Sequence, residues 1–416
     1  MINRRDFVKG GVALVSIGTT ADSLLKGSIA FAAQHPTEVL AKNNGKILVL
    51  VQLAGGNDGM NTLVPMGDSI YRSVRKTIGV AEDAILPLEG GYGLHPSLSG
   101  LKGLWNEGKL AVVRGVGYPN QNYSHFKSMA IWQAGDPELK LQEGWLGRTL
   151  EKMESEQHDP FKGFNIGTST PPEMRSDMVP IPSVSSPADY NFSLAGKSAD
   201  GSDPRTATLM KLYEQYPSAS PYGVLLETTV ESAVSSAKQL AIAAKTYVPA
   251  VKYPESSFGS GLSVLAEAIV GNLGMRVGHI TLGGFDTHSK EVEDHTDLMT
   301  RLDEGLTAFY RDLAAHNKAD DVIVLTWSEF GRRVQENANG GTDHGSASVM
   351  FALGNGVQRG IYGDAPSLSK LVDNGNLSFT TDFRSVYATL IERWLGVPSE
   401  ALLGKKWEQL GFIRAA

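Results

Sequence analysis

The chain has 416 residues, a formal net charge of −7, no cysteine, and 41% hydrophobic residues. This length allows one large α/β domain or two smaller ones, and the lack of cysteine excludes disulfide bonds as a source of stability. The acidic balance argues against a nucleic-acid partner, because proteins that bind nucleic acid present a basic surface to the phosphates.

The first residues predict that the protein is exported. The segment Asn3–Lys9 (NRRDFVK) resembles the twin-arginine signal motif, a mildly apolar stretch follows at Gly10–Thr19, and Ala30–Ala32 has the small-x-small pattern of a signal-peptidase site. A basic arm on a cytosolic protein would explain the arginines but not this order of segments. We therefore expect residues 1–32 to be a twin-arginine signal peptide, with the translocase as partner during export, and residues 33–416 to be periplasmic or secreted.

Loss of the signal peptide would make the protein more acidic. The first 32 residues contain four basic and two acidic side chains, so the mature chain would carry a net charge near −9. No run of about 18 apolar residues follows them, and we expect no transmembrane segment in the mature chain.

Short β-branched apolar runs alternate with amphipathic helical patterns along the chain. The apolar runs predict buried parallel strands at Lys46–Leu53, Leu110–Val116, Val277–Leu282, Val322–Thr326 and Ala347–Leu353. The helical patterns lie at Pro96–Glu107, Ser124–Ala134, Gly261–Leu273, His295–His316 and Asp382–Leu395. This alternation predicts a three-layer α/β/α sandwich with a mostly parallel sheet.

One region departs from the alternating pattern. Residues 178–252, approximately, begin with a Pro/Ser-rich loop and continue into an alanine-rich helical stretch at Gly223–Tyr247. We interpret this region as a helical insertion in the domain rather than as an independent domain.

Side chains that can bind a metal ion cluster next to the predicted strands, where ligands of parallel sheets bind. They are Asp58 in AGGNDGMNT, Asp286 and His288 in GGFDTH, Glu329 in TWSEFGRR, and Asp343 and His344 in GTDHG. Each loop also has a purely structural explanation, such as an Asx turn at Asn57–Gly59. Together, however, the loops bring carboxylates and imidazoles to one rim of the sheet, and they predict a divalent-metal site.

Two further features next to strands have alternative interpretations. Ser124, at the start of a predicted helix, is either an N-cap or a nucleophile, because helix N–H groups stabilise anionic substrates and a nearby cation would activate the hydroxyl. The pair Arg332 and Arg333 either binds an anion or begins a solvated helix.

The motifs GGNDGMNTLVP, NYSHFKSMAIWQAG, GGFDTH, TWSEFGRR, GTDHG and DFRSVYATLIERWLG, in this order, resemble the bacterial family called domain of unknown function 1501. The resemblance covers nearly the whole mature chain, and the family is similar to a branch of the alkaline phosphatase superfamily, which includes sulfatases. It implies an alkaline phosphatase-like fold. It also implies that Ser124 matches the nucleophile and that four residues match metal ligands, namely Asp58, Asp286, His288 and His344.

The chain departs from the superfamily pattern at two positions. Ser328-Glu329-Phe330 stands where the superfamily has an Asp-His pair, so Glu329 would have to serve as a ligand in place of a histidine. The usual Asp-x-x-x-His spacing is compressed to Asp286-Thr287-His288. Both departures leave open whether one or two metal ions bind.

The resemblance implies a metal-dependent hydrolase of phosphate or sulfate esters, acting on a small or polymer-borne anionic ester. Ser124 would be catalytic, and a zinc, calcium or magnesium ion would be held by the predicted metal ligands, which are Asp58, Asp286, His288, Glu329 and His344. Two alternatives remain at this point. One is a non-catalytic exported binding or assembly protein with the same fold, and the other is a metal-free serine hydrolase, which the lack of a Gly-x-Ser-x-Gly motif around Ser124 disfavours.

Overall fold

The computed structural model describes residues 45–141, 143–153, 161–176, 178–185, 239–240, 243–373 and 375–414. The chain forms two compact units. The larger unit comprises Lys46–Gln142, Pro249–Ser263 and His279–Ala416, and the described part of the smaller unit comes mainly from Glu143–Val248 and Val264–Gly278. The expected signal peptide and most of the expected helical insertion lie outside the described residues and stay predictions.

In chain order, the described strands are β1 (Ile47–Ala54), β2 (Leu63–Pro65), β3 (Leu86–Pro87), β4 (Tyr92–Leu94), β5 (Leu110–Gly117), β6 (Gly163–Ile166), β7 (Ser183–Val184), β8 (Val277–Gly283), β9 (Val322–Trp327), β10 (Ser348–Leu353), β11 (Gly360–Tyr362), β12 (Leu371–Val372), β13 (Asn376–Leu377) and β14 (Thr381–Asp382). The described α-helices are α1 (Gly59–Thr62), α2 (Ser69–Val74), α3 (Ser99–Asn106), α4 (His125–Ala134), α5 (Trp145–Lys152), α6 (Ser257–Val270), α7 (Glu291–Ala315) and α8 (Phe383–Thr389). Short 3-10 turns lie at Glu82–Ala84 and Pro172–Met174, and a π-helical turn at Leu390–Trp394 follows α8.

The larger unit is built on a mixed, mostly parallel sheet. Its strand order is β11-β5-β10-β9-β1-β8, and β14 pairs with β5. Strands β1 and β9 pair in parallel from Ile47 opposite Val322 to Gln52 opposite Trp327, and β11 and β14 both run parallel to β5. All residues of β9 and β10 are buried, which explains why these strands are continuous apolar runs rather than alternating ones. The predicted α/β class is confirmed.

The direction of β10 differs from the prediction. Ala347–Leu353 was predicted as one of the parallel strands, but β10 runs antiparallel to both β5 and β9. Because β10 is reversed, the loop that precedes it reaches the sheet edge at which β1, β5 and β9 end. The reversal therefore places His344 beside the residues that follow the other strands.

Helices of the larger unit are fixed to one another by polar contacts as well as by apolar packing. The long helix α7 contacts α3 through Asp303, whose carboxylate accepts from the N–H groups of Gly100 and Leu101 at 2.9 and 2.7 Å. These two N–H groups lie in the first turn of α3, which has no cap from a side chain of its own. The Asp303 carboxylate thus supplies the partner that the start of α3 lacks.

The smaller unit contains α5, the parallel pair β6–β7 and the second half of α6, from Val264 to Val270. Its apolar core includes Trp145, Leu146, Phe161 and Phe164, all fully buried. The rings of Phe161 and Phe164 meet edge to face with their centroids 5.6 Å apart. Among the residues that the structure describes, no helix combines the length and the apolar character needed to cross a membrane.

Candidate metal centre

The loops that follow β1, β8 and β9 approach one another closely at the edge of the sheet in the larger unit. Gly55 and Gly56 adopt φ values of 125° and 84°, which side chains rarely tolerate. A Cβ on Gly55 would lie 2.4 Å from the backbone nitrogen of Asp286, and one on Gly56 would lie 2.4 Å from the ring of Phe330. The double glycine is therefore required for the contact between these loops, beyond any role in a turn.

Three ligand atoms form a nearly equilateral triangle at this edge. His288 Nε2 lies 3.0 Å from Asp286 Oδ1, His344 Nε2 lies 3.1 Å from the same oxygen, and the two nitrogens are 3.0 Å apart. Ligand atoms around a tetrahedral zinc ion are separated by about 3.3 Å, given metal–ligand distances of about 2.0–2.1 Å. The triangle thus has nearly the dimensions of one face of such a site.

A third histidine, His125, faces the same carboxylate from helix α4. Its Nε2 lies 3.4 Å from Asp286 Oδ2. One ligand atom each from His125, Asp286 and His344 lie within 4.8 Å of one another. Three imidazoles therefore face one carboxylate at this edge, and His125, Asp286 and His344 are the set whose ligand atoms all lie close to one another.

The Nδ1 atoms of two of the three imidazoles are held by an oxygen at hydrogen-bond distance, and that of the third faces a carboxylate. His344 Nδ1 lies 2.8 Å from the carbonyl oxygen of Tyr123, and because a carbonyl only accepts, this nitrogen carries the hydrogen and leaves the Nε2 lone pair free in the neutral ring. His125 Nδ1 lies 2.7 Å from Glu329 Oε1, and His288 Nδ1 lies 3.5 Å from Asp343 Oδ1. Oxygen partners of this kind orient histidine ligands in metal sites.

Glu329 was predicted as a metal ligand, and the structure places it behind His125. The carboxylate is buried, and its Oε1 accepts from the N–H of Gly55 at 2.9 Å as well as contacting His125. Ser328 Oγ lies 3.3 Å from Oε2. In this position Glu329 orients the His125 ring, and direct ligation by Glu329 stays a prediction.

Arg332 lies in the buried floor of the site and not on a solvated helix. Its guanidinium donates to Asp286 Oδ1 at 2.7 Å and to the carbonyl oxygens of Gly56, Phe285 and Thr342 at 2.7, 2.8 and 3.0 Å. Burial opposes ionisation of Asp286, but the hydrogen bond from Arg332 and the charge of this guanidinium lower the pKa of Asp286 to about 2. The carboxylate is therefore ionised at neutral pH and available to a cation.

An aromatic ring packs against the imidazoles. Phe330 is fully buried, and its ring centroid lies 4.9 Å from that of His125 and 4.7 Å from that of His344. Burial lowers the pKa of His344, although the Tyr123 carbonyl and Asp286 act in the opposite direction. On the outer side, the Asp286 and His288 side chains are 47% and 43% exposed, so the cluster is accessible to ions and ligands from solvent.

Asp58, predicted as a metal ligand, is placed in a separate buried network. Its carboxylate forms an ion pair with Arg75 and accepts from Met60 N at 3.1 Å, capping α1. Burial opposes its ionisation, but Arg75 and a hydrogen bond with Glu291 hold the pKa of Asp58 well below its usual range. Ligation by Asp58 would require the carboxylate to leave Arg75, and that role stays a prediction.

Ser124 occupies the N-cap position of α4, but its side chain does not cap the helix. The residue is exposed, and its neighbours in the chain both contact the cluster, Tyr123 through its carbonyl oxygen and His125 through its ring. Ser124 thus stands in the chain between two residues that contact the cluster, and its role as the nucleophile stays a prediction.

The role of His125 was not predicted from the sequence. The histidine stands in NYSHFK, directly after Ser124, and a histidine in the first turn of a helix that opens at the sheet edge was the available signal. The role of Arg332 was also left open between anion binding and a solvated helix, because an arginine pair alone does not reveal which side chain turns into the core.

The family model described as "Protein of unknown function (DUF1501)" matches residues 110–403 of the chain. Comparison with curated proteins gives no match.

Solved structures give partial similarity. The chain is similar to the PsFucS1 sulfatase from Pseudoalteromonas sp., with 12% identity, 94% of this chain and 74% of that chain covered, and a TM-score of 0.41. The lipoteichoic acid synthase LtaP from Listeria monocytogenes has 12% identity and a TM-score of 0.35, with 86% of this chain and 73% of that chain covered. The phosphonate monoester hydrolase SpPMH from Silicibacter pomeroyi has 12% identity and a TM-score of 0.34, with 87% of this chain and 78% of that chain covered. The activities that these names describe belong to the similar proteins.

Proposed function

This chain belongs to the DUF1501 family, and we propose that it is an exported, metal-dependent hydrolase of phosphate or sulfate esters. One observation carries the proposal: the Nε2 atoms of His125, His288 and His344 face the Asp286 carboxylate at 3.0–3.4 Å. His125 and His344 also have an oxygen partner at Nδ1, as histidine ligands do.

The donor set favours zinc among the divalent ions considered. Imidazole nitrogen and carboxylate oxygen are usual zinc ligands, whereas calcium and magnesium prefer oxygen alone. The Arg332 guanidinium already pairs with the Asp286 carboxylate, so the imidazole nitrogens would provide most of the binding to a cation.

The bound ion would polarise the ester oxygens and lower the pKa of a hydroxyl beside it. Ser124 Oγ is the nucleophile in this proposal: it forms the bond to phosphorus or sulfur, its proton leaves to solvent, and the alcohol departs. The first N–H groups of α4 have no partner within the helix and stabilise the negative charge on the transferred group. Water then releases phosphate or sulfate from Ser124.

The test is turnover of aryl phosphate and aryl sulfate by zinc-loaded protein and its variants. Asp286→Asn, His344→Ala and Ser124→Ala should each lose at least about a hundredfold in kcat/KM. The control His316→Gln changes a histidine at the end of α7 and should retain wild-type turnover. Activity that survives in Ser124→Ala would contradict the covalent mechanism.

A second candidate function is a non-catalytic exported binding or assembly protein. It is favoured by Phe330, an apolar ring that packs on His125 and His344 where the related enzymes are expected to have another ligand. In that case the zinc-loaded wild type would bind phosphate or sulfate but turn over no ester.

Export is part of the proposal, and it is supported by the arginine pair and the cleavage pattern in the first 32 residues. The mature protein should begin near Ala33 in the periplasmic or secreted fraction, as mass spectrometry of its N-terminus would show. A mature protein that keeps Met1 or Ile2 would contradict it.

A further inference from the structure

The larger unit contains a cavity of about 340 Å³ that includes none of the residues of the candidate metal centre. It is lined by residues from β2, β4, β5 and β10 and by the loop at 365–369. This volume lies at the lower end of the range for pockets that bind small organic molecules. We call it the Arg114 pocket.

The cationic group of the pocket is Arg114 on β5, a strand that lies between β11 and β10 in the sheet. Arg114 is the half-buried residue of β5, whose other residues are all buried. Its Nε donates to the carbonyl oxygen of Gly363 at 2.9 Å, and its guanidinium carbon lies 4.9 Å from the centroid of the Tyr92 ring. These contacts fix the plane of the guanidinium while its Nη atoms make no hydrogen bond or ion pair within the part of the chain that the structure describes.

The pocket also has one carboxylate, which does not neutralise Arg114. Asp68 is the N-cap of α2, and its Oδ1 accepts from the backbone N–H groups of Ile70 and Tyr71 at 2.8 and 3.0 Å. Asp68 forms no ion pair with Arg114 within the described part of the chain, so the Nη atoms of Arg114 stay available to a ligand. A half-buried guanidinium in this state favours an anionic ligand with two coplanar oxygens.

The rest of the pocket wall is mixed, with apolar side chains beside the serines Ser348, Ser367 and Ser369. Side chains of Met60, Leu63, Ile70, Leu368 and Leu377 line it. Ala365 and Ser369, at the two ends of the loop, are exposed, so this wall borders solvent. A ligand with an apolar body and a single anionic end would fill the volume and pair with Arg114.

We propose that the Arg114 pocket is a second ligand site, which binds a small monocarboxylate whose apolar group lies against Met60, Leu63 and Leu368. The carboxylate forms paired hydrogen bonds with the Nη atoms of Arg114. The site is independent of the metal centre and of ester hydrolysis.

The probe is 4-phenylbutyrate, titrated into the full mature protein by calorimetry. Two matched compounds separate the contributions: 4-phenylbutanamide keeps the shape without the charge, and inorganic phosphate keeps a charge without the apolar body. The variants are Arg114→Gln and, as control, Arg301→Gln, which changes an exposed arginine on α7 that pairs with Asp297. Leu368→Ser is a second test of the pocket that leaves Arg114 in place.

We expect 4-phenylbutyrate to bind one site per chain and to bind at least tenfold more weakly to Arg114→Gln and to Leu368→Ser. The amide and phosphate should bind the wild type at least tenfold more weakly than the acid, and Arg301→Gln should behave as wild type. Ester hydrolysis by Arg114→Gln should be unchanged. Equal affinity for the acid and the amide, or undiminished binding in a folded Arg114→Gln variant, would overturn the proposal.

Discussion

The orientation of three imidazole rings is the property on which the proposed metal site depends. The metal affinity of a site typically falls by about 10- to 100-fold when the hydrogen-bond partner of a histidine ligand's other nitrogen is removed. For His125 that partner is Glu329, buried and 2.7 Å from Nδ1. From the sequence alone, Glu329 was predicted to be a metal ligand. A sequence pattern cannot distinguish a carboxylate that binds the ion from one that orients a histidine ligand.

Glu329→Gln separates the two roles. The amide oxygen of glutamine can still accept from His125 Nδ1, so zinc affinity should fall by about tenfold or less if Glu329 orients the ring. If Glu329 ligates the ion directly, loss of its charge should lower the affinity far more, close to the effect of His344→Ala. Competition titrations with a zinc-binding dye measure the zinc affinity of both variants, with Glu304→Gln, at an exposed position on α7, as the control.

Glu291 provides a prediction about pH. It is fully buried, and burial together with the charge of Asp58 raises its pKa to about 9, against the opposing effects of Arg75 and Thr342. Between about pH 4.5 and 9 the folded state keeps a proton on Glu291 that the unfolded chain has lost. This group therefore lowers the free energy of unfolding as pH rises through that window, by up to about 1.4 kcal/mol per pH unit.

Glu291→Gln should remove this penalty. Glutamine keeps the shape and can still donate to Asp58, so the variant should gain stability over the wild type, and the gain should be larger at pH 8 than at pH 5. Denaturant unfolding at both values measures it, with the exposed Glu293→Gln as the matched change on α7. A difference between variant and wild type that stays constant from pH 5 to pH 8 would show that Glu291 titrates normally.

At the scale of single elements, helix α4 is distinctive because its N-cap serine does not cap. Ser124→Ala should therefore change the free energy of unfolding by less than about 0.5 kcal/mol. Asp68→Ala, which removes a carboxylate that accepts from two N–H groups of α2, should cost about 1 kcal/mol. Thermal and denaturant unfolding of the two variants measure this difference. An equal loss of unfolding free energy in both would show that Ser124 stabilises α4 as a cap.

The elements that could be predicted are those with a strong periodic pattern. Strand β1 was predicted at Lys46–Leu53 and lies at Ile47–Ala54, and helix α7 was predicted at His295–His316 and lies at Glu291–Ala315. The direction of β10 could not be predicted, because a strand buried on both faces has the same apolar pattern in either orientation. No helix lies between β9 and β10. Because a parallel neighbour usually requires a helical crossover, this was the indication that β10 runs antiparallel.

At the scale of the whole molecule, the candidate site depends on contacts between distant parts of the chain. His125 and Glu329 are 204 residues apart, and His288 and His344 are 56 residues apart. The sequence placed most of these residues near strand ends, which was enough to predict a common rim. It did not show that Asp58 would pair with Arg75, because the two side chains come together only when β1, α1 and α2 fold against one another.

The most direct test of the proposed metal centre is the metal content of the mature protein, purified without chelators and loaded with zinc. The account predicts about one zinc ion per chain in the wild type, measured by elemental analysis, and a melting temperature that falls when the ion is removed by a chelator, since an ion that binds only the folded state stabilises it. Asp286→Asn and His344→Ala should lose the ion, and His316→Gln should retain it. A wild-type protein that binds no zinc, with a melting temperature that chelation does not change, would contradict the account.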